Sequence, residues 1–186
     1  MSKLFMLLVG CKPAGRHIEQ HDVFFGVGES VKDLITAIND FWPAVTNKFH
    51  IDAWREVTNV DGYRVSVTEK ENSNRKSSMN LYFINLGGYR PGEFEEYHYK
   101  MIAVATDKEA AIRASKQTAF YRHTGFKTAA SHVDDKYGID VDDAYEIKNI
   151  LPVADRDRYN ILLSPAAGEV PHDNVHLGYF TISSFK

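Results

Sequence analysis

Apolar residues along the chain fall into short runs whose period switches between two and three to four. Residues 3–10 are apolar apart from Lys3 and Gly10, and a Cys-Lys-Pro-Ala-Gly turn follows. This predicts a strand closed at Pro13, because proline cannot continue a central strand. A second strand is expected over 21–28. From Val31 the period becomes helical, with Val31, Leu34, Ile35, Ile38 and Phe41 or Trp42 on one face. Ser30 suits the N-cap, Asp33 stands in capping-box position, and Pro43 marks the end. A His-x-Asp strand from His50 and a strand over 63–69 complete the pattern. The polar stretch 69–78 has no apolar period and reads as a linker.

The pattern then recurs. Strands are expected over 81–88 and 98–105. An Ala-rich helix capped by Asp107 (Ala110, Ala111, Ala114, Ala119) stops near His123 and Gly125. A His132-x-Asp134 segment and a strand over 144–151 follow. Phe5, Leu8, Gly10 and Pro13 meet Phe83, Leu86, Gly88 and Pro91 at one offset (88 − 10 = 78). Glu19 and His21 meet Glu96 and His98 (98 − 21 = 77), and His50 and Asp52 meet His132 and Asp134 (132 − 50 = 82). The last register continues through Asp61/Asp143, Tyr63/Tyr145 and Val65/Ile147. The prediction is an α+β fold built by internal duplication of a β-β-α-β(β) unit, with mixed sheets and the helices packed on one face. Unit one would span 1–69, a linker 70–79 and unit two 80–151. A C-terminal extension, 152–186, adds strand-like runs at 159–164 and 176–183. It reads as a hairpin or edge extension that covers a sheet edge or pairs with a second protomer.

Composition narrows the function classes. Apolar residues make up 44% and charged residues 25%, ordinary for a globular protein, and the formal net charge is −3. Without a basic excess or stripe, a general nucleic-acid binder is not expected. The single cysteine, Cys11, excludes an internal disulfide and fits a reducing, cytoplasmic setting. The apolar start is short and lacks a small-residue cleavage pattern, so it reads as a strand and not an export signal. No apolar run approaches the roughly 18 residues of a membrane span.

The candidate chemistry lies in Glu19, His21, His50 and Asp52, with Glu96, His98, His132 and Asp134 as their counterparts. Residues two apart on a strand face one side, so each Glu-x-His or His-x-Asp presents a carboxylate and an imidazole together. Gathered on neighbouring strands, such a set could bind zinc, manganese or iron, or act as an acid/base pair. It could equally be a hydrogen-bond network that ties loops to a sheet. The Gly/Pro loops put Lys12 and Arg90 beside flexible backbone and are candidates for anion binding, or are plain turns. The acidic run Asp134, Asp135, Asp140, Asp142 and Asp143 lacks the spacing of an EF-hand and reads as a solvated loop. Cys11, whose counterpart is Tyr89, reads as a packing residue, and Trp42 and Trp54 as core aromatics.

The stretches from Glu19 to Gly26, His50 to Val57, Gly87 to His98 and His132 to Asp143 resemble a bacterial family known as domain of unknown function 1543. The resemblance implies the duplication and a bacterial cytosolic setting, and it brings no assigned activity. The leading reading is therefore a non-enzymatic module that engages a small-molecule ligand or protein partner through the loops around these histidines. It predicts no cofactor, with a divalent transition metal at His21, His50, His98 and His132 as an option. A metal-dependent enzyme with a His/carboxylate site in each repeat is one alternative. A structural homodimer formed through the tail strands is another. Neither nucleic acid nor membrane is an expected partner.

Overall fold

The structure is a computed structural model that describes residues 1–72, 77–89, 93–123, 140–168 and 171–185; at 72, 89, 117–123, 140 and 142 it describes the backbone alone. The chain forms two compact units, one of residues 1–76 with 150–186 and one of residues 77–149. The extension therefore belongs to the first unit.

In the first unit β1 (Lys3–Cys11) lies between β2 (Gln20–Gly28) and β3 (His50–Glu56). Both neighbours run antiparallel to it. Residues 31–34 form a 3-10 turn that leads into α1 (Ile35–Phe41). Asp33 starts this segment as the capping pattern predicts. Its carboxylate accepts the Ser30 N–H at 2.8 Å and the Glu29 N–H at 3.0 Å, which holds its pKa below the ordinary carboxylate value. The odd-numbered face of β1 (Phe5, Leu7, Val9, Cys11) builds the core with Phe24, Ile51, Val31, Leu34, Ile38, Val45 and Phe49. A second sheet of the unit starts with β4 (Asn59–Val60) and β5 (Tyr63–Glu69). Between them Asp61 and Gly62 both take positive φ (49° and 76°), the conformation a two-residue hairpin turn demands.

The second unit repeats the three-strand order with β6 (Asn80–Tyr89) between β7 (Glu96–Ala105) and β8 (Asp140–Glu146). Asp107 accepts the Ala110 N–H at 2.7 Å and caps α2 (Lys108–His123). The small side chain of Ala111 packs with Tyr82, Ile84, Leu86 and Ala103. β8 covers Asp140–Glu146, and α3 (Ile147–Ile150) follows it directly. The strand expected over 144–151 therefore ends early, where the helical turn buries Ile147.

α4 (Val153–Arg158), β9 (Tyr159–Pro165) and β10 (His176–Thr181) complete the first unit. β9 pairs with β5, and β10 pairs with β3. The tail strands thus extend two different sheets and do not form a hairpin with each other. Each finds an edge that offers unpaired backbone groups. The described strands make three sheets, all antiparallel, where a mixed sheet was expected. The two strands on either side of the helix run in the same direction, but β1 lies between them, so no parallel pair forms.

Candidate metal centre

Strand register assembles the site on the face of β1 away from its odd-numbered core. Gly10 stands opposite His21 on β2 and opposite His50 on β3, and directly opposed residues share a face. Glu19, just ahead of β2, is two residues before His21 and returns to the same side. Asp52 is brought in by a bulge. Leu8 opposes Ala53 and Val9 opposes Ile51, which leaves Asp52 as the extra residue of β3. A bulge re-aims side chains, and here it turns Asp52 toward the end of the strand where His50 stands.

Both imidazoles present Nε2 to both carboxylates. His21 Nε2 lies 3.0 Å from Asp52 Oδ2 and 3.7 Å from Glu19 Oε2. His50 Nε2 lies 3.1 Å from Glu19 Oε1 and 3.2 Å from Asp52 Oδ1. One ligand atom each of Glu19, His21 and His50 fits within 4.8 Å, as a shared ion requires. Despite these distances His50 Nε2 and Asp52 Oδ2 are buried and have no hydrogen-bond partner among the described residues. The contacts are close but not aligned for N–H···O bonds.

The surroundings divide the quartet into a dry side and a wet side. The His50 side chain is 5% exposed, while those of His21 and Glu19 are 38% and 41% exposed. Tyr179 of β10 stacks on the His50 ring at 4.1 Å between centroids, and His176 stacks on Trp54 at 3.9 Å. The floor is Gly10. A Cβ there would lie 2.5 Å from His50 Nε2, 2.6 Å from Asp52 Oδ2 and 3.0 Å from His21 Cδ2. Only a residue without a side chain permits the four groups to converge.

The structure thus brings Glu19, His21, His50 and Asp52 together as the spacing suggested. Lys12 is exposed in the β1–β2 loop. Among the described residues, the quartet's ion pairs run only between its own members. Cys11 is buried in the odd-numbered core, where its thiol lies 3.4 Å from the Lys48 carbonyl oxygen. In the second unit His98 Nε2 lies 4.0 Å from Glu96 Oε2. His132, Asp134 and Arg90 lie outside the described residues. Strand register gives the position of His50 to another residue. Gly87 opposes both His98 and Asp140, and the bulge between Asn85 and Leu86 leaves Asp142 as the extra residue. The offset between β3 and β8 is therefore 90 (140 − 50 = 90), not the 82 that pairs His50 with His132. Likewise His21 and His98 place Gly10 against Gly87 at an offset of 77 (87 − 10 = 77), one residue from the pairing with Gly88. Short identities such as His-x-Asp had aligned the two segments, whereas backbone pairing sets which residues share a place. Tyr179 and Gly10 were missed as site residues. Their signals, an aromatic in an alternating tail strand and a glycine ending an apolar run, are common ones.

Comparison with known proteins finds the quartet within a segment that is similar to a described family. Residues 16–67 match the model of the Domain of Unknown Function family DUF1543. The expected resemblance holds, and the matched segment contains all four residues of the quartet. The fold is similar to that of protein Il1583 from Idiomarina loihiensis, known from a crystal structure. The TM-score is 0.64 at 23% identity, covering 98% of this chain and 99% of that one. No curated protein matches the chain.

Proposed function

We propose that this protein is a binding module whose first unit holds a divalent transition-metal ion through Glu19, His21 Nε2 and His50 Nε2, with the Asp52 carboxylate, which faces both imidazoles, as a further donor. The observation that carries the reading is the set of distances. With metal–ligand bonds of about 2.1 Å, neighbouring ligand atoms are separated by about 3.0 Å in an octahedral site and about 3.4 Å in a tetrahedral one. Three nitrogen–oxygen separations, 3.0, 3.1 and 3.2 Å, have that size and the fourth is 3.7 Å, each carboxylate turning one oxygen to each imidazole.

A purely structural network accounts for the same residues less well. A buried polar atom without a partner costs about 1–3 kcal/mol, and two such atoms, His50 Nε2 and Asp52 Oδ2, point into the cluster. A cation between them would satisfy both at once. Two imidazoles with two carboxylates suit zinc, manganese, iron or nickel, and softer thiolate-seeking ions less. The arrangement of the two units supports reading them as diverged copies of one β-β-α-β element. They share strand order, a glycine opposite two neighbours, and a bulge at one place.

The exposed side formed by Glu19 and His21 favours a second reading, a metal-dependent enzyme. An ion held there could keep positions for water or substrate and act as a Lewis acid.

The test is isothermal titration of untagged, chelator-stripped protein with Zn²⁺ and Mn²⁺, with elemental analysis of the loaded protein. The His21→Ala/His50→Ala variant should lose one equivalent of metal while its near-ultraviolet dichroism stays that of the parent. Equal metal content in parent and variant would refute the site.

A further inference from the structure

The tail strand β10 forms one edge of the first unit's four-stranded sheet, next to β3, and among the described strands none pairs with its outer side. Contacts on its inner side hold it in place. Asp173, three residues ahead of it, accepts the Thr58 N–H at 3.0 Å and the Asn59 N–H at 3.4 Å, and it also accepts the Thr58 hydroxyl. His176 stacks on Trp54 and Tyr179 on His50. Yet Leu177 is 76% exposed, Tyr179 69% and Val175, just ahead of the strand, 54%. From Asn174 to Phe185 there is no Asp, Glu, Lys or Arg, although such residues make up 25% of the chain. The register shift between Leu177 and Phe180 bends the strand and puts no charge on its edge.

Proteins ordinarily protect a free edge with charges, prolines, shortness or a cover, and the other described edges follow that rule. β2, at the far side of the same sheet, begins with exposed Gln20, His21 and Asp22, and Asp155 accepts its Val27 N–H. β7 carries Glu96, His98 and Lys100, and β8 is rich in acidic residues. β4 has two residues, and β9 is uncharged but half-buried through Leu163 and ends on Pro165. We propose that β10 is protected instead by a second copy of this chain. Two chains pair antiparallel along β10 about a two-fold axis and join their four-stranded sheets into one. A second copy suits this edge better than an unlike partner. The chain has a net charge of −3, so a contact between copies needs a surface free of charge, as 174–185 is. A partner chosen by complementary charge would find none there to read. Pairing β10 with itself also uses both free edges at once, so the assembly closes as a dimer and does not grow. It holds in place the strand whose Tyr179 covers His50.

Pairing through one strand gives an interface at the small end of the range, under about 1,200 Å² in total, so a dimer Kd of about 1–100 μM is expected. Sedimentation velocity of the full chain across that range, in chelator so that metal plays no part, should show monomer giving way to dimer and nothing larger. Leu177→Lys should raise the Kd at least about tenfold, because a lysine on an edge opposes pairing, and Val175→Lys should act in the same direction. Val153→Lys, at an apolar residue of α4 that is 61% exposed, should leave the dimer as in the parent. Near-ultraviolet dichroism and melting curves of dilute protein check that each variant keeps its fold. The inference is overturned if the parent is still a monomer at the top of that range. It is equally overturned if Leu177→Lys and Val175→Lys associate as the parent does, which would put the interface elsewhere. Neither result bears on the metal site of the first unit, which its own titration tests.

Discussion

Gly10→Ala puts the least possible material into the centre of the quartet. The added Cβ would stand 2.5 Å from His50 Nε2 and 2.6 Å from Asp52 Oδ2. Ordinary contacts begin near 3.4 Å, so each atom must retreat by about 0.8–0.9 Å. Metal sites tolerate errors of about 0.2 Å in ligand distance, several times less than this. His50 has little room to withdraw, because it is nearly buried with Tyr179 stacked on its ring. Asp52 can swing away, but only by leaving the cluster. Changes in the outer shell of metal sites typically cost about 10–100-fold in affinity, so displacing a ligand itself should cost about 100-fold or more. Effects on stability are smaller. Overpacking costs about 1–3 kcal/mol, and replacing a strand glycine recovers about 0.5–1 kcal/mol, leaving a net loss of at most about 2.5 kcal/mol. Competition against a chromophoric chelator measures affinity, and melting with and without Zn²⁺ gives a second readout through ligand linkage. Gly15→Ala is the control, since nothing lies within 4 Å of a Cβ at that loop position despite its φ of 78°. It should strain the loop and leave metal affinity unchanged. A folded Gly10→Ala protein that binds Zn²⁺ as tightly as the parent would refute the convergent geometry.

Two further outcomes follow from groups outside the quartet. Burial, and secondarily the negative charge of Glu19, raises the Cys11 thiol above its ordinary pKa of 9.0. Native protein at pH 8 should therefore react with a disulfide reagent at least about 100-fold more slowly than denatured protein, and equal rates would place the thiol at the surface. Asp155 accepts the Val27 N–H at 2.9 Å, but desolvation outweighs that bond and raises its pKa above 3.8. The folded state then holds the proton more tightly than the unfolded one. Its penalty is absent below pH 3.8 and grows as pH rises through the folded value. Asp155→Asn should be more stable than the parent at pH 7 by up to about 1 kcal/mol, allowing for partial exposure, with the difference vanishing toward pH 3.5. A difference independent of pH in chemical denaturation would show that ionisation is not its cause.

What the sequence made legible was local. The strand over 3–10, the cap at Ser30 and Asp33, and the shared side of Glu19 and His21 each depend on residues within a few positions of one another. The meeting of His21 with His50 depends on both being opposite Gly10, and that follows from hydrogen bonding across three strands. The same limit explains why Asp140 was read as a solvated acidic residue. No identity links it to His50, and only the pairing of β8 with β6 gives it that place. One local signal was passed over. Asp61-Gly62 is a strong two-residue hairpin motif, yet matching Asp61 to Asp143 drew β5 into the repeat, although β5 pairs with β9 of the tail.

The backbone framework that both units share is more tightly constrained than the side chains it presents. The glycines and the bulges shape the backbone, and changing either would displace several side chains at once. The positions opposite the glycines carry no such burden, so His50 in one unit and Asp140 in the other stand at the same place of one register. One register can therefore present different residue types at the same place while the fold is kept.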